Sequence, residues 1–288
     1  MIGILNILKP TGMTSHDVVN FVRRTLNIKK VGHAGTLDPN VAGVLIICVG
    51  KATKLSEYIM EGDKEYVCEL ILGKSTDTQD SYGNITNEAS EFNVTVNRLK
   101  DVLNEFTGEQ LQIPPAYSAV KFKGKKLYEY ARENIVVDKK ARKINIKEIK
   151  LLKFDGERAL LKVVCSKGTY MRTLCHDIGM TLGTYGHMGI LVRTQSKGLH
   201  INNSVTLNTL QFLYDNNRIR ECLIPVEDVY KLEKIYIDEK HYKRLISGNS
   251  VYGKINTDKD FYVYCRDTLI GIGKKVDENT IKISKMLL

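Results

Sequence analysis

The chain has 288 residues, of which 43% are hydrophobic and 26% are charged, and these proportions are typical of a globular protein. A chain of this length accommodates one large core and a small second domain. No apolar run approaches the roughly 20 residues that a membrane-spanning helix needs. The first residues have neither a basic leader nor a small-residue cleavage site, so we expect a cytoplasmic protein without a signal peptide.

The charge balance favours a polyanionic partner. Lys and Arg number 43 against 33 Asp and Glu, which gives a formal net charge of +10, and such an excess is typical of nucleic-acid-binding proteins. A membrane surface also fits this charge, but no basic amphipathic helix stands out. The cysteines lie far apart and no histidine pair has metal-ligand spacing, so we predict buried thiols and neither a zinc site nor a disulfide framework. They are Cys48, Cys68, Cys165, Cys175, Cys222 and Cys265.

In chain order, the first predicted helix begins at a capping box. Thr14 and Asp17 have the spacing of such a box, in which each residue's side chain accepts from the backbone of the other. Apolar residues follow at helical spacing. They are Val18, Phe21, Val22 and Leu26. Arg23 and Arg24 are predicted to lie on the outer side of this helix.

One carboxylate stands in a glycine-broken loop directly before an apolar run. Residues 44–49 are wholly apolar and rich in β-branched side chains, which predicts a strand buried on both faces. Asp38 precedes this strand, between Gly35, which permits backbone conformations that other residues avoid, and Pro39, which fixes its own φ. The loop therefore holds the carboxylate in a fixed direction. Asp before Pro is also ordinary turn chemistry, and this stretch alone leaves turn and catalyst equally open.

The next predicted strand, residues 66–72, alternates apolar and polar residues. It places Tyr66, Cys68, Leu70 and Leu72 on one face. The polar segment 74–83 that follows contains the end of a phosphate-binding-loop pattern, but a cysteine replaces the first glycine and no helix follows. We therefore predict a solvated hairpin or loop near the site.

Segment 113–132 interleaves five cations with four aromatic rings. The cations are Lys121, Lys123, Lys125, Lys126 and Arg132, and the rings are Tyr117, Phe122, Tyr128 and Tyr130. Cations suit RNA phosphates, and aromatic rings stack on bases for about 1 to 3 kcal/mol each. We therefore predict an RNA-contacting segment. The alternative, a solvated basic helix with its aromatic side packed inward, explains Tyr128 but not the whole cluster.

The second half of the chain predicts a helix after a Thr95 cap, a strand over residues 159–165, and a helix whose first turn carries Tyr170 and Arg172. A guanidinium at this place can pair with a carboxylate of the Asp38 loop, and an ordinary surface arginine is the alternative. Segment 183–198 is glycine-rich with a short apolar stretch, and its lone histidine, His187, is more often structural than catalytic.

The last part of the chain changes in character from about residue 228. A helix over residues 206–213 comes before this change. After it, a short helix at residues 238–245 leads into short strands separated by glycines, around residues 251–252, 261–266, 269–276 and 281–287. This pattern predicts a small β-rich terminal domain.

Four separated segments resemble the bacterial tRNA pseudouridine synthases of the TruB family. They are Leu8-Lys9-Pro10-x-Gly12-Met-Thr-Ser15, Gly32-His33-Ala-Gly-Thr-Leu-Asp38-Pro39, Tyr66 with Leu72-Gly73-x-x-Thr76-Asp77-Thr78-x-Asp80, and Cys165-Ser-Lys-Gly-Thr-Tyr170-Met-Arg172-Thr. The match runs in the expected order across most of residues 2–230. The C-terminal part resembles the family's small RNA-binding PUA module less specifically.

The resemblance implies an isomerase that converts uridine 55 in the T loop of tRNA to pseudouridine by base flipping. It implies tRNA as partner, no cofactor, no metal, no obligatory protein partner and a monomer. The implied fold is α+β, with a catalytic domain over residues 1–228 around a mixed, mainly antiparallel sheet. An RNA-contacting insertion lies at about 113–145, and a β-barrel-like PUA module follows at 229–288.

The resemblance also implies residue roles. Asp38 is the catalytic aspartate, Tyr66 stacks on the target base and Arg172 pairs with Asp38. The further substrate-binding residues are His33, which helps displace the base, Tyr170 and Leu191, which line the uridine pocket, and Lys121, Lys123, Lys125, Lys126 and Arg193. We expect Asp38 to be shielded from bulk water and kept charged by Arg172.

Two positions depart from the family pattern, and two rival functions stay open. Asn40-Val41-Ala42 replaces the usual Leu-Ala-Thr, and Val192 stands where a second arginine often follows the leucine. The first rival is a non-catalytic tRNA-binding and tRNA-folding protein. The second is a guide-RNA-dependent pseudouridine synthase, which would need protein partners. A hydrolase built on Asp38 is a distant third, because no second carboxylate is evident.

Overall fold

The computed structural model describes residues 1–133, 135–253, 255 and 257–288. The chain forms two compact units. Unit 1 contains Met1–Asn40, Val44–Met60 and Asn202–Leu288, and unit 2 contains Val41–Gly43 and Glu61–Ile201. In the described ranges, no helix has both the length and the apolar character that crossing a bilayer requires.

The strands occur along the whole chain, and most are short. They are β1 (Gly3–Lys9), β2 (Val31–His33), β3 (Ala42–Val49), β4 (Lys64–Leu72), β5 (Lys74–Thr76), β6 (Ile85–Glu88), β7 (Gly108–Gln112), β8 (Lys121–Phe122), β9 (Lys125–Lys126), β10 (Arg142–Phe154), β11 (Arg158–Cys165), β12 (Gly186–Ser196), β13 (Leu199–His200), β14 (Leu223–Ile224), β15 (Glu233–Tyr236), β16 (Val251–Tyr252), β17 (Phe261–Cys265), β18 (Thr268–Asp277) and β19 (Thr280–Met286).

The helices are also distributed over both units. They are α1 (Ser15–Leu26), α2 (Ser56–Met60), α3 (Val96–Glu105), α4 (Leu127–Arg132), α5 (Met171–Leu182), α6 (Leu207–Asp215), α7 (Val226–Val229) and α8 (Tyr242–Ile246). Short 3₁₀ helices occur at Gly50–Leu55, Ile201–Asn203, Ile219–Glu221 and Glu239–His241.

Unit 2 is built on a sheet in the order β12-β4-β11-β10-β7, in which neighbouring strands are antiparallel. Helix α5 packs on β12 and β4, and α3 packs on α5 and β10. The predicted face of β4 is buried beneath these helices, since Tyr66, Cys68, Leu70 and Leu72 are all inside. Ala42 and Gly43 pair with β12 in parallel, so the sheet is mixed. The predicted α+β class with a mixed, mainly antiparallel sheet is confirmed.

Unit 1 contains strands in the order β14-β1-β3, with β2 paired to β3. Every residue in 44–49 is buried, which confirms the strand predicted to be covered on both faces. Helix α1 begins at the predicted capping box, because Asp17 N–H donates to Thr14 Oγ1 over 3.1 Å and Thr14 N–H donates to Asp17 Oδ2 over 2.8 Å. Helix α6 packs against α1.

One side of α1 differs from the prediction. Arg23 is half-buried rather than outside, and its Nη2 donates to Val31 O over 2.9 Å. The cause is β2, which follows α1 closely and offers a backbone carbonyl that periodicity along a helix does not reveal. Arg24 is exposed, as predicted, and Phe21 is only half-buried.

Unit 1 also contains a sheet in the order β15-β17-β18-β19-β16. It includes the four short strands predicted near the C-terminus, and β15 adds a parallel neighbour to β17. Its core contains Phe261 and Ile281. Within the same unit, Lys54 Nζ donates to Met286 O over 2.7 Å, and Lys285 Nζ lies 5.3 Å from the centroid of the Tyr58 ring. The terminal β-rich region therefore packs against the segment around α2.

Two long strands were not apparent in the sequence. The glycine-rich segment 183–198 contains β12, which lies next to β4 in the unit 2 sheet. Glycine is required in the adjoining strand, since a Cβ on Gly43 would lie 2.2 Å from Arg193 O. Strand β10 alternates poorly because its pairing with β11 shifts register at two places, and a bulge breaks the period of two.

Candidate active site

The loop that carries Asp38 is fixed on its N-terminal side by a serine. Ser15, the first residue of α1, is 3% exposed. Leu37 N–H donates to Ser15 Oγ over 2.9 Å, and Ser15 Oγ donates to Leu37 O over 3.1 Å. Both backbone groups of the residue before Asp38 are therefore held by one buried hydroxyl.

The loop is also fixed on its C-terminal side. Pro39 O accepts from Gly12 N–H over 2.9 Å and from Lys9 Nζ over 3.1 Å, and the same ammonium donates to Pro10 O over 2.8 Å. Lys9 is fully buried, so its charge is held among these carbonyls. The aspartate thus lies between two anchored residues, so the backbone that carries it is fixed.

Asp38 itself is exposed, so the expectation that this side chain is shielded from bulk water is wrong. The anchors explain why, because they act on the backbone of Leu37 and Pro39 and leave the side chain between them uncovered. The predicted His33 lies at the end of β2, opposite Ile47 of β3, and is half-buried. His33 and Asp38 belong to the same unit and are joined by a short loop.

Unit 2 carries the aromatic residue predicted to stack on the base. Tyr66 is 8% exposed, and its register partners are Val163 of β11 and Arg193 of β12. Arg193 is 1% exposed, so its charge lies inside unit 2 rather than on the surface. Leu191 lies on the same strand opposite Cys68 and is half-buried.

Arg172 is the second residue of α5 and is 6% exposed. Its Nη2 donates to Tyr117 O over 2.9 Å and its Nη1 to Thr78 O over 3.4 Å. Nη1 also lies 3.9 Å from Asp80 Oδ2. These contacts exclude the alternative of an ordinary surface arginine. They join three segments: α5, the loop 77–84 and the start of segment 113–132.

The loop 77–84 is itself well fixed in unit 2. Asp80 Oδ1 accepts from Thr78 Oγ1 over 2.6 Å and from Tyr82 N–H over 3.0 Å. Ser81 N–H donates to Met188 O over 3.0 Å, which ties the loop to β12. The predicted hairpin is present, since β5 pairs with β6. Asp80 is therefore held beside Arg172 by the fold of its own loop.

Tyr170 is positioned through its backbone by a buried glutamine. Tyr170 N–H donates to Gln112 Oε1 over 2.8 Å, and Gln112 Nε2 donates to Tyr170 O over 3.1 Å. Gln112 is the last residue of β7, so this edge of the sheet fixes the N-terminus of α5. The buried His187 lies with Nδ1 2.9 Å from Lys74 O, a hydrogen bond that fits its structural interpretation.

The two departures from the family pattern meet in the structure. Val192 of β12 is the register partner of Ala42 in β3, and Arg193 is the partner of Gly43. Ala42, which is smaller than the usual threonine, is thus the register partner of Val192, which is shorter than the usual arginine. The two departing positions are therefore neighbours across this strand pair.

The predicted lysines cluster in a small hairpin followed by a helix. Lys121 pairs with Lys126 across β8 and β9, and α4 follows directly. Lys121 and Lys123 are exposed, whereas Lys125 and Lys126 are half-buried. Lys126 N–H donates to the Glu129 carboxylate over 2.7 Å, which caps the start of α4.

A further buried cation lies on β4 in unit 2. Burial, together with the charge of Arg193, lowers the pKa of Lys64 from its ordinary 10.5 to about 8. Lys64 precedes Tyr66 by two residues and therefore lies on the same face of the strand. The predicted buried thiols are confirmed at five positions, and Cys222 is half-buried. Burial raises the pKa of Cys48 to about 11.

Sequence reasoning assigned no role to Ser15, Lys9, Asp80 or Gln112. The first three belong to the stretches that resemble the TruB family, so their place in those motifs was the available signal. Gln112 had no signal, because its contact with Tyr170 spans 58 positions of the chain. Within the described part of the chain, no group of three His, Cys, Asp or Glu side chains is arranged to hold a metal ion.

A family model described as the N-terminal domain of TruB family pseudouridylate synthases matches residues 23–171. A second model, described as the C-terminal domain of tRNA pseudouridylate synthase B, matches residues 172–231. The chain belongs to the TruB family. The predicted family is confirmed, and since pseudouridine synthases are isomerases, so is the predicted class of enzyme.

Curated TruB relatives match over essentially the full length. The protein from Alkaliphilus oremlandii named tRNA pseudouridine synthase B is 42% identical over 100% of this chain and 99% of its own length. The protein of the same name from Clostridioides difficile is 42% identical over 99% of both chains. The one from Symbiobacterium thermophilum is 50% identical over 72% of this chain and 71% of its own.

Solved structures share the TruB fold. A Cbf5-Nop10-Gar1 complex contains a chain that matches with a TM-score of 0.75 and 28% identity, covering 99% of this chain and 85% of that chain. An H/ACA ribonucleoprotein bound to a substrate RNA containing 2′-deoxyuridine matches with a TM-score of 0.73 and 25% identity over the same shares. The identity to the bacterial synthases is higher, so the guide-dependent alternative is not favoured.

Proposed function

We propose that this chain isomerises uridine 55 in the T loop of tRNA to pseudouridine, with Asp38 as its essential group. The observation that carries the proposal is the loop itself. An aspartate lies between Leu37, held by Ser15, and Pro39, held by Gly12 and Lys9, in a member of the TruB family. A side chain with anchored neighbours on both sides meets the positional demand of catalysis, where a displacement of about 1 Å can cost 10²-fold in rate.

The reaction defines what the site must supply. The bond from N1 of uracil to C1′ of the ribose breaks, the base rotates, and C5 bonds to C1′ with loss of the C5 proton. Atoms are conserved and nothing is oxidised, so no redox cofactor is needed. An ionised carboxylate beside the sugar can add to C6, add to C1′ or remove a C2′ proton, and each route uses Asp38.

The flipped uridine supplies the covering that Asp38 lacks. Extrusion of a base costs a few kcal/mol, and it inserts an apolar surface over an exposed carboxylate. We assign Tyr66 to stacking on the base, Tyr170 and Leu191 to the uridine pocket, and His33 to filling the space that the base leaves. Arg172 is assigned to pairing with Asp38.

We assign Arg193 to a structural role within unit 2 rather than to direct substrate binding, since this residue is buried. The RNA contacts are assigned to Lys121, Lys123, Lys125 and Lys126 in the insertion of about 113–145. We further assign residues 1–228 to the catalytic domain and 229–288 to a PUA-like module that binds RNA. The protein acts in the cytoplasm, as a monomer and without an obligatory protein partner.

The decisive experiment compares Asp38→Asn with wild type on a T-arm RNA labelled with tritium at C5 of uridine. The variant should bind the RNA with unchanged affinity and release no tritium, because an amide is neither a nucleophile nor a base. Asp267→Asn, at an exposed aspartate of unit 1, is the matched control and should keep full turnover. Tritium release by Asp38→Asn would overturn the proposal.

A second measurement separates the stand-alone enzyme from its two rivals. The purified chain should modify a bare T-arm hairpin without any added RNA or protein. Dependence on a guide would favour the guide-directed type, and tight binding without turnover would favour a tRNA-folding protein. Replacing the four lysines by Met should also flatten the slope of log affinity against log salt, by up to about 1 for each phosphate that the lysines neutralise.

A further inference from the structure

The cations of segment 121–132 are arranged over the aromatic rings of the same segment. The hairpin of β8 and β9 turns at Lys123 and Gly124, which have φ values of 45° and 87°. Two successive residues with positive φ are the signature of a tight hairpin turn. The turn brings residues that alternate along the chain onto one small surface, together with α4.

The hairpin side of this surface contains two cation–ring pairs. Lys123 Nζ lies 5.5 Å from the centroid of the Phe122 ring, and Lys125 Nζ lies 5.0 Å from that of Tyr130. The two rings contact each other edge to face, with centroids 6.1 Å apart and an interplanar angle of 78°. Tyr130 Oη also donates to Phe122 O over 3.3 Å, so the pair is fixed relative to the hairpin.

The helix side contains one ring shared by two cations. Lys126 Nζ and the guanidinium carbon of Arg132 each lie 5.4 Å from the centroid of Tyr128. Lys126 Nζ also lies 3.4 Å from Tyr128 Oη. Tyr128 is thus the centre of a cluster that spans the start and the end of α4.

The rings can either stack on RNA bases or hold the cations of the segment, and these distances favour the second use. A cation within about 6 Å of a ring centroid is attracted by the negative face of the ring. A base that stacks on the same face must displace that cation and lose the attraction. Phe122, Tyr128 and Tyr130 all have a cation at such a distance, so the protein itself already covers at least one face of each ring.

The charges that the rings hold are available to a ligand. Lys125 is the exception, because it pairs with the Glu133 carboxylate. For Lys123, Lys126 and Arg132 the described residues place no carboxylate within ion-pair distance. Lys121 differs from these three cations, since no ring of the described chain lies under it. The segment therefore contains both ring-held cations and one that is not held.

We infer that Phe122, Tyr128 and Tyr130 support the cations of this segment, and that the segment contacts backbone phosphates of the RNA rather than its bases. The inference rests on the proposed function and corrects the expectation, drawn from the sequence, that these rings stack on bases. A mobile lysine or arginine side chain loses much conformational entropy when it is fixed by a phosphate. Holding the cation over a ring before RNA arrives removes part of that cost.

A double-mutant cycle on RNA affinity tests the inference. Tyr128→Leu should weaken binding of a T-arm RNA about two- to five-fold, the worth of exposed cation–π contacts. In a Lys126→Met, Arg132→Met background the same change should have no effect, because the ring then supports nothing. Tyr128→Phe keeps the ring and should bind like wild type, and an unchanged urea unfolding curve of Tyr128→Leu would exclude misfolding as the cause of its weaker binding.

Lys121→Met provides the matched control inside the same segment. Its effect should add to that of Tyr128→Leu without coupling, since Lys121 has no ring beneath it in the described residues. The weakening caused by Tyr128→Leu should also shrink at high salt. A weakening that persists in the double-methionine background, or that is independent of salt, would show base stacking and overturn the inference.

The outcome is distinguishable from failure of the proposed function. Full tritium release by wild type with an additive cycle would overturn the inference alone. A coupled cycle with RNA binding but no tritium release would support the inference and remove the proposed activity. Absence of any RNA binding by wild type would overturn both.

Discussion

The Asp38 loop in unit 1 and the surroundings of Arg172 in unit 2 fix their functional groups by opposite means. Asp38 is exposed, and the backbone of its neighbours Leu37 and Pro39 is held by hydrogen bonds. Arg172 is buried, and its own guanidinium donates to Tyr117 O and Thr78 O. The Asp38 loop is anchored through its backbone, and Arg172 is anchored through its side chain.

The difference follows from what each charge costs. A carboxylate that acts as proposed must stay accessible to the substrate, and anchoring the backbone of Leu37 and Pro39 fixes its loop without covering it. A guanidinium can be buried when its donors are satisfied, because its planar fork fits several acceptors at once. Unit 2 collects such buried cations, since Arg193 and Lys64 are inside as well.

The largest effect is expected at Arg172, where a substitution tests whether positioning through the side chain matters. Lysine keeps the charge but cannot reach Thr78 O, Tyr117 O and Asp80 from one fork. Arg172→Lys should lower kcat about 10²- to 10³-fold, the reduction expected for one preorganised electrostatic contact, with RNA affinity nearly unchanged. Tritium release under single turnover measures this.

Arg158→Lys is the matched control for that experiment. Arg158 is exposed and pairs with Glu69 over 3.1 Å on the strand surface, where a lysine serves as well. Its turnover should be that of wild type. If Arg172→Lys also kept wild-type turnover, charge alone would suffice and the geometry of the fork would be irrelevant.

Ser15→Ala tests whether backbone anchoring positions Asp38. The substitution leaves Leu37 N–H without its acceptor and frees the residue before the aspartate. We expect kcat to fall about 10-fold through misplacement of the carboxylate, with unchanged KM. Ser56→Ala removes a comparable hydrogen bond, from Ser56 Oγ to Thr53 O over 2.8 Å, outside this loop and should leave kcat unchanged. Equal effects of the two substitutions would show general destabilisation.

The smallest expected effect is at Lys64, and it tests whether the interior of unit 2 disfavours a buried charge. Its pKa is about 8 in the folded chain against an ordinary 10.5, so the unfolded chain binds the proton more strongly. Burial of charged Lys64 therefore lowers the free energy of unfolding. This destabilisation is complete below pH 8 and disappears as the pH rises to about 10.5. Lys64→Met should stabilise the fold at pH 7, and its advantage in urea unfolding should shrink over this range. An advantage independent of pH would contradict the lowered pKa.

Local pattern predicted much of the fold. The capping box of α1, the doubly buried residues 44–49 and the alternating face of β4 each rest on contacts that one short stretch determines. Strand β12 escaped because a strand with neighbours on both sides needs no alternation and tolerates glycine. Strand β10 escaped because bulges shift its period.

The sequence indicated how the Asp38 loop is built, but not what surrounds it. The Asp38 loop is a single continuous stretch, so its restricted backbone conformation could be inferred from Gly35 and Pro39. Its exposure could not, because that depends on what the remaining chain leaves uncovered. The acceptors of Arg172 come from 94 and 55 positions away, and no periodicity relates such distances.

Gly43 shows how a residue without a side chain can imitate a catalytic one. A Cβ at this position would lie 2.2 Å from Arg193 O, and the backbone φ of +119° already disfavours every other residue. A library of random variants selected for pseudouridine formation would therefore be depleted at Gly43 as strongly as at Asp38. Survival under mild denaturant would separate the two positions, because a Gly43 substitution disturbs folding whereas Asp38→Asn, under the proposed function, is expected to abolish only the chemistry.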